Sequence, residues 1–264
     1  MALRGAQQAF MPHQPGAPLP PARALDVTPA VITPPTGDFV PTRLACRGLE
    51  VLRLAHRDGD IGVIVGAPGL GKSMILKAYA AQHSHALLID AIPGYSARVL
   101  LEALCQRLTL CQRGNIHALT TRCVQALRGS GHLLMVDEAE LLPVRALEVL
   151  RRLHDHSGIG LVLVGTPRLL SHLRGKRGEL AQLYSRVGLS LPTGDVLLRE
   201  DFDLLAISMM PEATDKAIGD ALYDGARGNA RRLSKLLCGV RRTSEINHVR
   251  INVEMVRQFA TLLI

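Results

Sequence analysis

The sequence has no tryptophan, and aromatic residues make up only 3 % of its 264 residues. Proteins that bind single-stranded nucleic acid without sequence preference stack its bases on aromatic side chains, so that mode of recognition is poorly supported. Long apolar segments are missing too. No run approaches the roughly 20 residues that cross a bilayer, and the amino terminus lacks the apolar stretch of a signal peptide. We therefore expect a cytoplasmic protein that makes no use of a membrane.

Cysteine is also scarce, and its spacing argues against metal or disulfide chemistry. The five cysteines are odd in number and scattered along the chain. None of them has the CxxC or Cys–His spacing of a zinc site. We interpret them as reduced thiols in the core or on the surface.

Acidic residues are outnumbered by basic ones, 23 to 31, which gives a formal net charge of +8. An excess of positive charge favours polyanionic partners such as nucleic acid, although many basic proteins bind no polyanion. Together with the shortage of aromatic residues, the charge favours contacts with the backbone of a duplex over stacking on bases.

The first 41 residues differ in composition from the rest of the chain. Residues 1–41 contain nine of the fifteen prolines and show no helical or strand periodicity. Such a segment is predicted to be a flexible arm rather than a folded domain. It serves either as a plain leader or as a contact for a partner or a filament.

From residue 42 onward, short apolar runs alternate with amphipathic stretches. The runs lie at 61–65, 86–90, 132–137, 160–165 and, more weakly, 188–192. Apolar strands separated by helices predict an α/β fold with a parallel sheet covered on both faces. The intervening helices are expected near 72–82, 95–109, 115–128, 143–156 and 178–187.

Beyond residue 191 the pattern is helical only. Stripes of apolar residues recur near 199–210, 213–226, 229–242 and 253–262, which predicts a small all-helical second domain. The chain is thus divided into an arm at 1–41, an α/β core at 42–194 and a helical lid at 195–264.

Residues 66–73 read GAPGLGKS and satisfy the pattern G-x-x-x-x-G-K-[ST] of a phosphate-binding loop. Glycines let successive backbone N–H groups face the phosphates, and the positive end of the following helix points at them. Lys72 is expected to contact the β and γ phosphates, and the Ser73 hydroxyl to bind Mg²⁺. The predicted ATP-binding set is Gly66, Ala67, Pro68, Gly69, Leu70, Gly71, Lys72, Ser73 and the adjoining Met74.

The run HLLMVDEAE places Asp137 and Glu138 at the end of an apolar strand. Both carboxylates are therefore expected at the edge of the sheet that carries the phosphate-binding loop. Asp137 is predicted to hold the Mg²⁺ shell, and Glu138 to orient and polarise the attacking water. Taken alone, an acidic pair at a strand end is more often a helix cap than a catalyst.

Three further features follow in sequence order. Thr166 ends the strand GLVLVG, Arg186 precedes the last strand, and GNARRL at 228–233 opens a helix of the second domain. With the phosphate-binding loop and DEAE, this order resembles that of AAA+ ATPases over residues 61–237. The resemblance implies a P-loop AAA+ core with a five-stranded parallel sheet, and a helical lid.

The resemblance also implies roles for these residues. Thr166 lies where AAA+ ATPases usually carry a polar sensor of the γ-phosphate, although a threonine that caps the helix starting at Pro167 is the alternative. Arg231 resembles the sensor-2 arginine that reaches from the lid to the phosphates. The basic residues of 227–242 are open to a second interpretation, a phosphate-binding face for DNA.

Arg186 is predicted to be an arginine finger, which in AAA+ ATPases projects from a neighbouring subunit into the ATP site. Arg174 and Arg168 are alternatives for this role. The competing interpretation is that Arg186 is a surface residue in a local ion pair.

Within AAA+ ATPases, the stretches LHDHSGIGLVLVGTPRL and LAQLYSRVGL resemble the DNA-transposition regulators, the family of the phage Mu B protein, TnsC and TniB. This resemblance implies a protein that oligomerises as a filament or ring on duplex DNA, without sequence specificity. It further implies recruitment and activation of a transposase, and disassembly when ATP is hydrolysed.

Sequence-tolerant DNA binding rests on phosphate contacts, for which any well-placed Lys or Arg serves. The first candidates lie in the segments after the second strand, which line the pore in related filaments, and a second group lies in a basic cluster near residue 175. The candidates are Arg98, Arg107, Arg113 and Arg122, followed by Arg174, Lys176 and Arg177.

Two other functions share part of this pattern. An ExeA-like ATPase of envelope assembly has the DEAE and GNxRRL motifs, but it is usually tied to a membrane-spanning and a peptidoglycan-binding segment. A helicase loader or replication initiator is the other alternative. Initiators generally add a helix-turn-helix after the lid, and only about 22 residues follow Arg242 here.

Overall fold

The computed structural model describes residues 39–175 and 179–263. The predicted arm at 1–41 therefore lies outside the described residues except for its last three positions. The boundaries predicted at 41/42 and 194/195 stay a prediction.

Five parallel strands form the sheet, in the spatial order β2-β3-β4-β1-β5. All five runs predicted from the sequence are strands, and the last one extends past residue 192 because its pairing with β1 continues to Gly194. The strands are β1 (Ile61–Gly66), β2 (Ala86–Asp90), β3 (Leu133–Asp137), β4 (Gly160–Gly165) and β5 (Val187–Gly194).

Within the described residues, seven helices accompany the sheet. Helices α1 and α2 pack on one face, and α3, α4 and α5 pack on the other. The set is α1 (Arg43–Asp58), α2 (Lys72–Gln82), α3 (Ala97–Arg107), α4 (Ile116–Leu127), α5 (Val144–Ser157), α6 (Pro167–Arg174) and α7 (Ala181–Tyr184).

The inner strands are buried on both faces, as expected of a parallel sheet covered by helices. Alternate residues of β4 enter opposite cores: Leu161 and Leu163 pack with α3 to α5, whereas Val162 and Val164 pack with α1 and α2. Two separate apolar layers therefore fix the sheet, and with it the position of the loops at its carboxyl edge.

In the described part of the chain after the sheet, the α-helices are α8 (Arg199–Met209), α9 (Lys216–Ala226), α10 (Ala230–Asn247) and α11 (Val253–Ala260). They share a third apolar core around Phe202, which also takes in Leu70 of the phosphate-binding loop. The predicted fold class, a five-stranded parallel sheet with helices on both faces and a small helical lid, is confirmed.

Helix α6 is the helix starting at Pro167 that the sequence analysis considered beside Thr166, and one other predicted helix is much shorter than expected. Helix α6 has Pro167 at its first position and ends before Gly175. The helix predicted at 178–187 is the single turn α7, because Leu180 and Leu183 are already buried and β5 begins at Val187.

Among the described residues, no helix combines the length and apolar character that crossing a membrane requires.

Candidate nucleotide-binding site

A cavity of about 430 Å³ opens at the carboxyl ends of β1, β3 and β4. Ligands of open α/β sheets bind at this edge, where the strand order reverses. The phosphate-binding loop, the DEAE turn, the end of β4 and the start of α10 all contribute to it. Its lining is Pro68, Gly69, Gly71, Lys72, Ser73, Met74, Asp137, Glu138, Glu140, Gly165, Thr166, Ala230, Arg231 and Ser234.

The glycines of the phosphate-binding loop meet three different demands. Gly69 and Gly71 have φ angles of +82° and +95°, which favour glycine. At Gly71 a Cβ would find nothing within 4 Å, so open space lies over the start of α2. At Gly66 a Cβ would overlap the side chain of Thr193 on β5, and so the loop lies tightly against that strand.

Lys72 is only 9 % exposed and is held inside the loop that precedes it. Its Nζ donates to the backbone carbonyl oxygens of Gly66 and Ala67, at 2.8 and 2.7 Å. Burial lowers the pKa of Lys72, and the carboxylates of Asp137 and Glu140 oppose that shift. A polyanionic ligand in the cavity would further favour the charged form.

Asp137 and Glu138 differ sharply in environment although they are adjacent. Asp137 ends β3, is 6 % exposed, and accepts the backbone N–H of Glu138 at 2.9 Å through Oδ1. Glu138 is exposed and has the left-handed angles φ 50° and ψ 37°. Because such a conformation is unfavourable for a residue with a side chain, its presence at the mouth of the cavity is typical of a functional position.

Thr166 follows β4 and is held by a residue that the sequence analysis missed. Its backbone N–H donates to Oε1 of Glu140 at 3.0 Å. The threonine hydroxyl makes no capping hydrogen bond to α6, contrary to the alternative interpretation. The only sequence signal for Glu140 was its place as the second glutamate of DEAE, three residues after Asp137.

The lid reaches the phosphate-binding loop directly. Asn229 Nδ2 donates to the carbonyl oxygen of Pro68 at 2.8 Å. The backbone N–H of Arg231 donates to the carbonyl oxygen of Gly69 at 3.1 Å. Arg231 lines the cavity, and its role as a sensor of the phosphates stays a prediction.

A second, smaller cavity of about 120 Å³ adjoins the first, and Gly71, Met74 and Ala230 line both. Its walls are mainly apolar and come from the segment before α1, the first turn of α1, the phosphate-binding loop, the start of α2 and the lid. They include Phe39, Val40, Leu44, Leu70, Ile75 and Leu205. Leu70 of the predicted set therefore lies here, while Gly66 and Ala67 contribute the carbonyl groups that hold Lys72.

Arg186 does not line either cavity of its own chain. Its Nε lies 2.8 Å from Asp155 Oδ1, and its Nη1 donates to the carbonyl oxygen of Gln182 at 2.7 Å. The local ion pair considered in the sequence analysis is thus present in the single chain. A finger acts on a neighbouring subunit, so this role stays a prediction.

Several candidates for DNA contacts meet around the loop between α3 and α4. Arg98 donates to the carbonyl oxygen of Gly114 at 3.1 Å and pairs with Glu102 at 2.8 Å. Arg122 donates to the carbonyl oxygens of Cys111 and Arg113 at 3.0 and 2.6 Å. These two arginines therefore brace the loop, whereas the side chain of Arg113 is exposed at its tip.

The other candidates are spread over the surface. Arg107 is exposed at the end of α3. Arg174 is exposed at the end of α6, where its guanidinium lies 5.9 Å from the centre of the Tyr184 ring. Lys176 and Arg177 lie outside the described residues.

The fold is that of P-loop AAA+ proteins, and the cavity lies at the edge of the sheet that carries the phosphate-binding loop. The sequence matches the family described as AAA domain over residues 55–173. The solved structures it is similar to include the ORC2 protein of Aeropyrum pernix, with a TM-score of 0.62 and 20 % identity over 83 % of this chain and 66 % of that one. They also include the RuvB Holliday junction branch migration motor of Thermotoga maritima, with a TM-score of 0.54 and 18 % identity over 83 % and 68 %.

The resemblance to DNA-transposition regulators is confirmed by two curated relatives. The chain is 31 % identical over 157 residues to the Mu-like prophage FluMu DNA transposition protein B of Haemophilus influenzae, covering 56 % of this chain and 54 % of the relative. It is 29 % identical over 189 residues to the ATP-dependent target DNA activator B of Escherichia phage Mu, covering 69 % and 55 %. The chain thus spans about half the length of these relatives.

Proposed function

We propose that this chain is an ATP-dependent DNA-binding protein of transposition that assembles on target duplex DNA. The observation that carries the proposal is that the phosphate-binding loop, the DEAE carboxylates and Thr166 line one cavity within the segment matched as AAA domain. A relative over much of the chain is named as an ATP-dependent target DNA activator. The basic excess of the sequence agrees with a polyanionic partner.

The residues of the cavity fit a nucleoside triphosphate with Mg²⁺. Space over Gly71 at the start of α2 accommodates phosphate where a side chain would otherwise lie. Ser73 and Asp137 supply the oxygen donors that would hold Mg²⁺, an ion usually bound through one or two carboxylates and the phosphates themselves. Bound there, Mg²⁺ would neutralise charge on the phosphates.

The remaining side chains of the cavity have separate roles in hydrolysis. Lys72, buried beside the phosphate positions, stabilises the negative charge of the triphosphate. Glu138, exposed at the mouth, orients and polarises a water molecule for attack. Arg231 contributes positive charge from the lid, so closure of the lid depends on which nucleotide is bound. The apolar second cavity suits the nucleobase.

Oligomerisation, transposase recruitment and disassembly on hydrolysis are the finer parts of the proposal. The resemblance to transposition regulators supports them. Arg186 is proposed to leave its ion pair with Asp155 and enter the ATP site of a neighbouring subunit. In that arrangement nucleotide occupancy controls assembly, and hydrolysis ends it.

The test is to mix the full chain with duplex DNA, with and without a non-hydrolysable ATP analogue, and to measure binding at low and raised salt. We expect binding that needs the analogue and weakens as salt rises, because phosphate contacts release counterions. Electron microscopy of the same samples should show filaments or rings only when both DNA and analogue are present.

Lys72→Ala and Lys77→Ala provide the control pair for this experiment. Both lysines lie on α2, but Lys77 is exposed and outside the cavity. Only the Lys72 variant should lose analogue-dependent DNA binding. The proposal fails if the unaltered chain shows no ATP-dependent binding to duplex at low salt, where attraction to phosphates is strongest.

A further inference from the structure

Glu140 lies where the turn after β3 meets the loop after β4. It belongs to a single 3₁₀ turn, Ala139–Leu141, that directly follows the DEAE aspartate and first glutamate. Its Oε1 accepts the backbone N–H of Thr166 at 3.0 Å, across 26 positions of sequence. Because β3 and β4 are neighbouring strands, this bond ties together the two loops that form the inner wall of the cavity.

The second carboxylate oxygen of Glu140 is packed against Gly165. A Cβ added to Gly165 would overlap Glu140 Oε2, and so the absence of a side chain at residue 165 is what admits the carboxylate. Within the described residues, Glu140 Oε2 and Thr166 Oγ1 are both buried and have no hydrogen-bond partner. Buried polar atoms left without partners cost stability, so two of them on residues joined by a hydrogen bond need an explanation.

Thr166 depends on Glu140 for its position. Its hydroxyl does not cap α6, and the hydrogen bond to Glu140 is the one that fixes its backbone N–H. The direction of the hydroxyl at the cavity wall therefore follows from where that N–H is held. A threonine that contacts phosphate must keep its oxygen fixed to within a fraction of an ångström for catalysis.

We propose that Glu140 is a positioning residue for ATP hydrolysis, which holds the loop of Gly165 and Thr166 at the wall of the cavity where the γ-phosphate would lie. The inference rests on the ATPase part of the proposed function and on none of its DNA or transposase parts. The Thr166 hydroxyl is buried and unpaired within the described residues, so rotation about its Cα–Cβ bond would bring it to the phosphate once ATP is bound.

Glu140 is poorly placed to be the catalytic base itself. One of its oxygens is engaged by an N–H group and the other is buried against a glycine, so neither is directed at a water molecule in the cavity. Glu138, by contrast, is exposed at the mouth of the same cavity. The two glutamates of DEAE thus have separate roles, Glu138 on the water and Glu140 on Thr166.

The test compares Glu140→Ala, Glu140→Gln, Thr166→Val and the double variant Glu140→Ala/Thr166→Val in steady-state ATP hydrolysis. Affinity for a fluorescent non-hydrolysable ATP analogue and thermal unfolding are measured alongside. We expect Glu140→Ala to lower kcat about tenfold or more, with analogue affinity changed by less than about threefold. Glu140→Gln keeps a carbonyl oxygen that accepts the Thr166 N–H, so its kcat should stay within about threefold of the unaltered chain.

The double variant separates positioning from general destabilisation. If Glu140 acts through Thr166, removing it after the hydroxyl is already gone should change kcat by less than about threefold, so the two losses are not additive. A Thr166→Ser variant, which retains the hydroxyl, should hydrolyse ATP faster than Thr166→Val.

Three results would overturn the inference: an unchanged kcat in Glu140→Ala, additive losses in the double variant, or a Glu140→Gln variant as slow as Glu140→Ala. The last result would assign the effect to the charge of Glu140 instead of its hydrogen bond. These outcomes are distinct from failure of the proposed function, in which the unaltered chain itself would hydrolyse no ATP.

Discussion

Lys72 illustrates how a single residue can be held ready for an anionic ligand. The ammonium group is buried, and burial lowers its pKa. Two carbonyl oxygens accept hydrogen bonds from it, and two carboxylates lie close enough to oppose the shift in pKa. Since the group is already desolvated and oriented, a triphosphate gains its attraction without first ordering a flexible side chain.

Replacing Lys72 by alanine should weaken binding of a fluorescent ATP analogue at least about tenfold, because a charge-assisted contact to phosphate is lost. Titration of the analogue against the full chain measures this. Lys77→Ala, on the exposed side of the same helix, should bind as the unaltered chain does. Equal losses in the two variants would point to a general effect of positive charge and contradict the placement of Lys72 at the phosphates.

Glu138→Gln should retain nucleotide binding and lose hydrolysis. The amide keeps the size of the side chain but cannot accept a proton from water, and loss of a general base typically slows a reaction about 10²- to 10⁴-fold. Single-turnover hydrolysis together with analogue binding separates the two steps. Hydrolysis at the normal rate in this variant would show that another group polarises the water.

At the scale of elements, the lid and the core are joined through the first turn of α1. Asp201 of α8 is 3 % exposed and accepts the backbone N–H groups of Arg43 and Leu44, at 2.7 and 3.0 Å. These are N–H groups that have no partner within their own helix, and a carboxylate also matches the positive end of the helix dipole. A residue of the lid thus caps a helix of the sheet layer.

Asp201→Ala should lower the free energy of unfolding by about 1–3 kcal/mol, because two partly buried N–H groups lose a charged and buried acceptor. Urea or thermal unfolding measures the loss. Asp203→Ala is the matched control on α8, since Asp203 forms an exposed ion pair with Arg199, of the kind worth about 0–1 kcal/mol. A loss no larger than that of the control would contradict a capping role across the two layers.

At the scale of the whole molecule, the ATP site and the predicted finger occupy different parts of one chain. Arg186 is paired with Asp155 on α5 and lies outside the cavity, so a single chain does not bring it to its own nucleotide. The arrangement is consistent with a site completed by a second copy, in which the arginine of one subunit meets the carboxylates of the next.

A mixture of Arg186→Ala and Glu138→Gln subunits tests this arrangement. Each variant alone should hydrolyse ATP slowly, whereas mixed assemblies contain some interfaces with an intact Glu138 site facing an intact Arg186. We therefore expect the mixture, assembled on duplex DNA, to regain part of the hydrolysis rate.

Arg152→Ala is the control for the finger, because Arg152 is an exposed arginine of α5 close to the same ion pair. Alone, it should hydrolyse ATP at the rate of the unaltered chain. If Arg186→Ala is equally active, or if mixing restores nothing, the finger is not Arg186. Arg168 and Arg174 are then the next residues to replace.

Much of the fold could be predicted from local pattern. The strands are short, continuously apolar and separated by amphipathic segments, and each of these features is recorded in neighbouring residues. Helix α6 was expected only from Pro167 after Thr166, because its eight residues are too few for a clear apolar periodicity. The length of the helix at Ala181–Tyr184 was overestimated. The burial of Leu180 and Leu183 depends on tertiary packing, which the local pattern does not record.

The sequence by itself determined the phosphate-binding loop and the carboxylates after β3. Their chemistry requires particular residue types at short, fixed spacings, and parallel strands bring their carboxyl ends to one edge of the sheet. The structure places Lys72, Asp137, Glu138 and Thr166 on one cavity, as that reasoning expects.

Only the tertiary structure decided which distant side chains meet around that site. Glu140 contacts the loop at Thr166, Asn229 contacts the loop at Pro68, and Asp201 caps α1, across 26, 161 and 157 to 158 positions of sequence. The chain contains 23 acidic residues; nothing local distinguishes Asp201 from the others, and the place of Glu140 in DEAE does not reveal its contact with Thr166. Their roles follow from how sheet, turn and lid pack together, because hydrogen bonds form only where packing brings a buried donor and acceptor within reach.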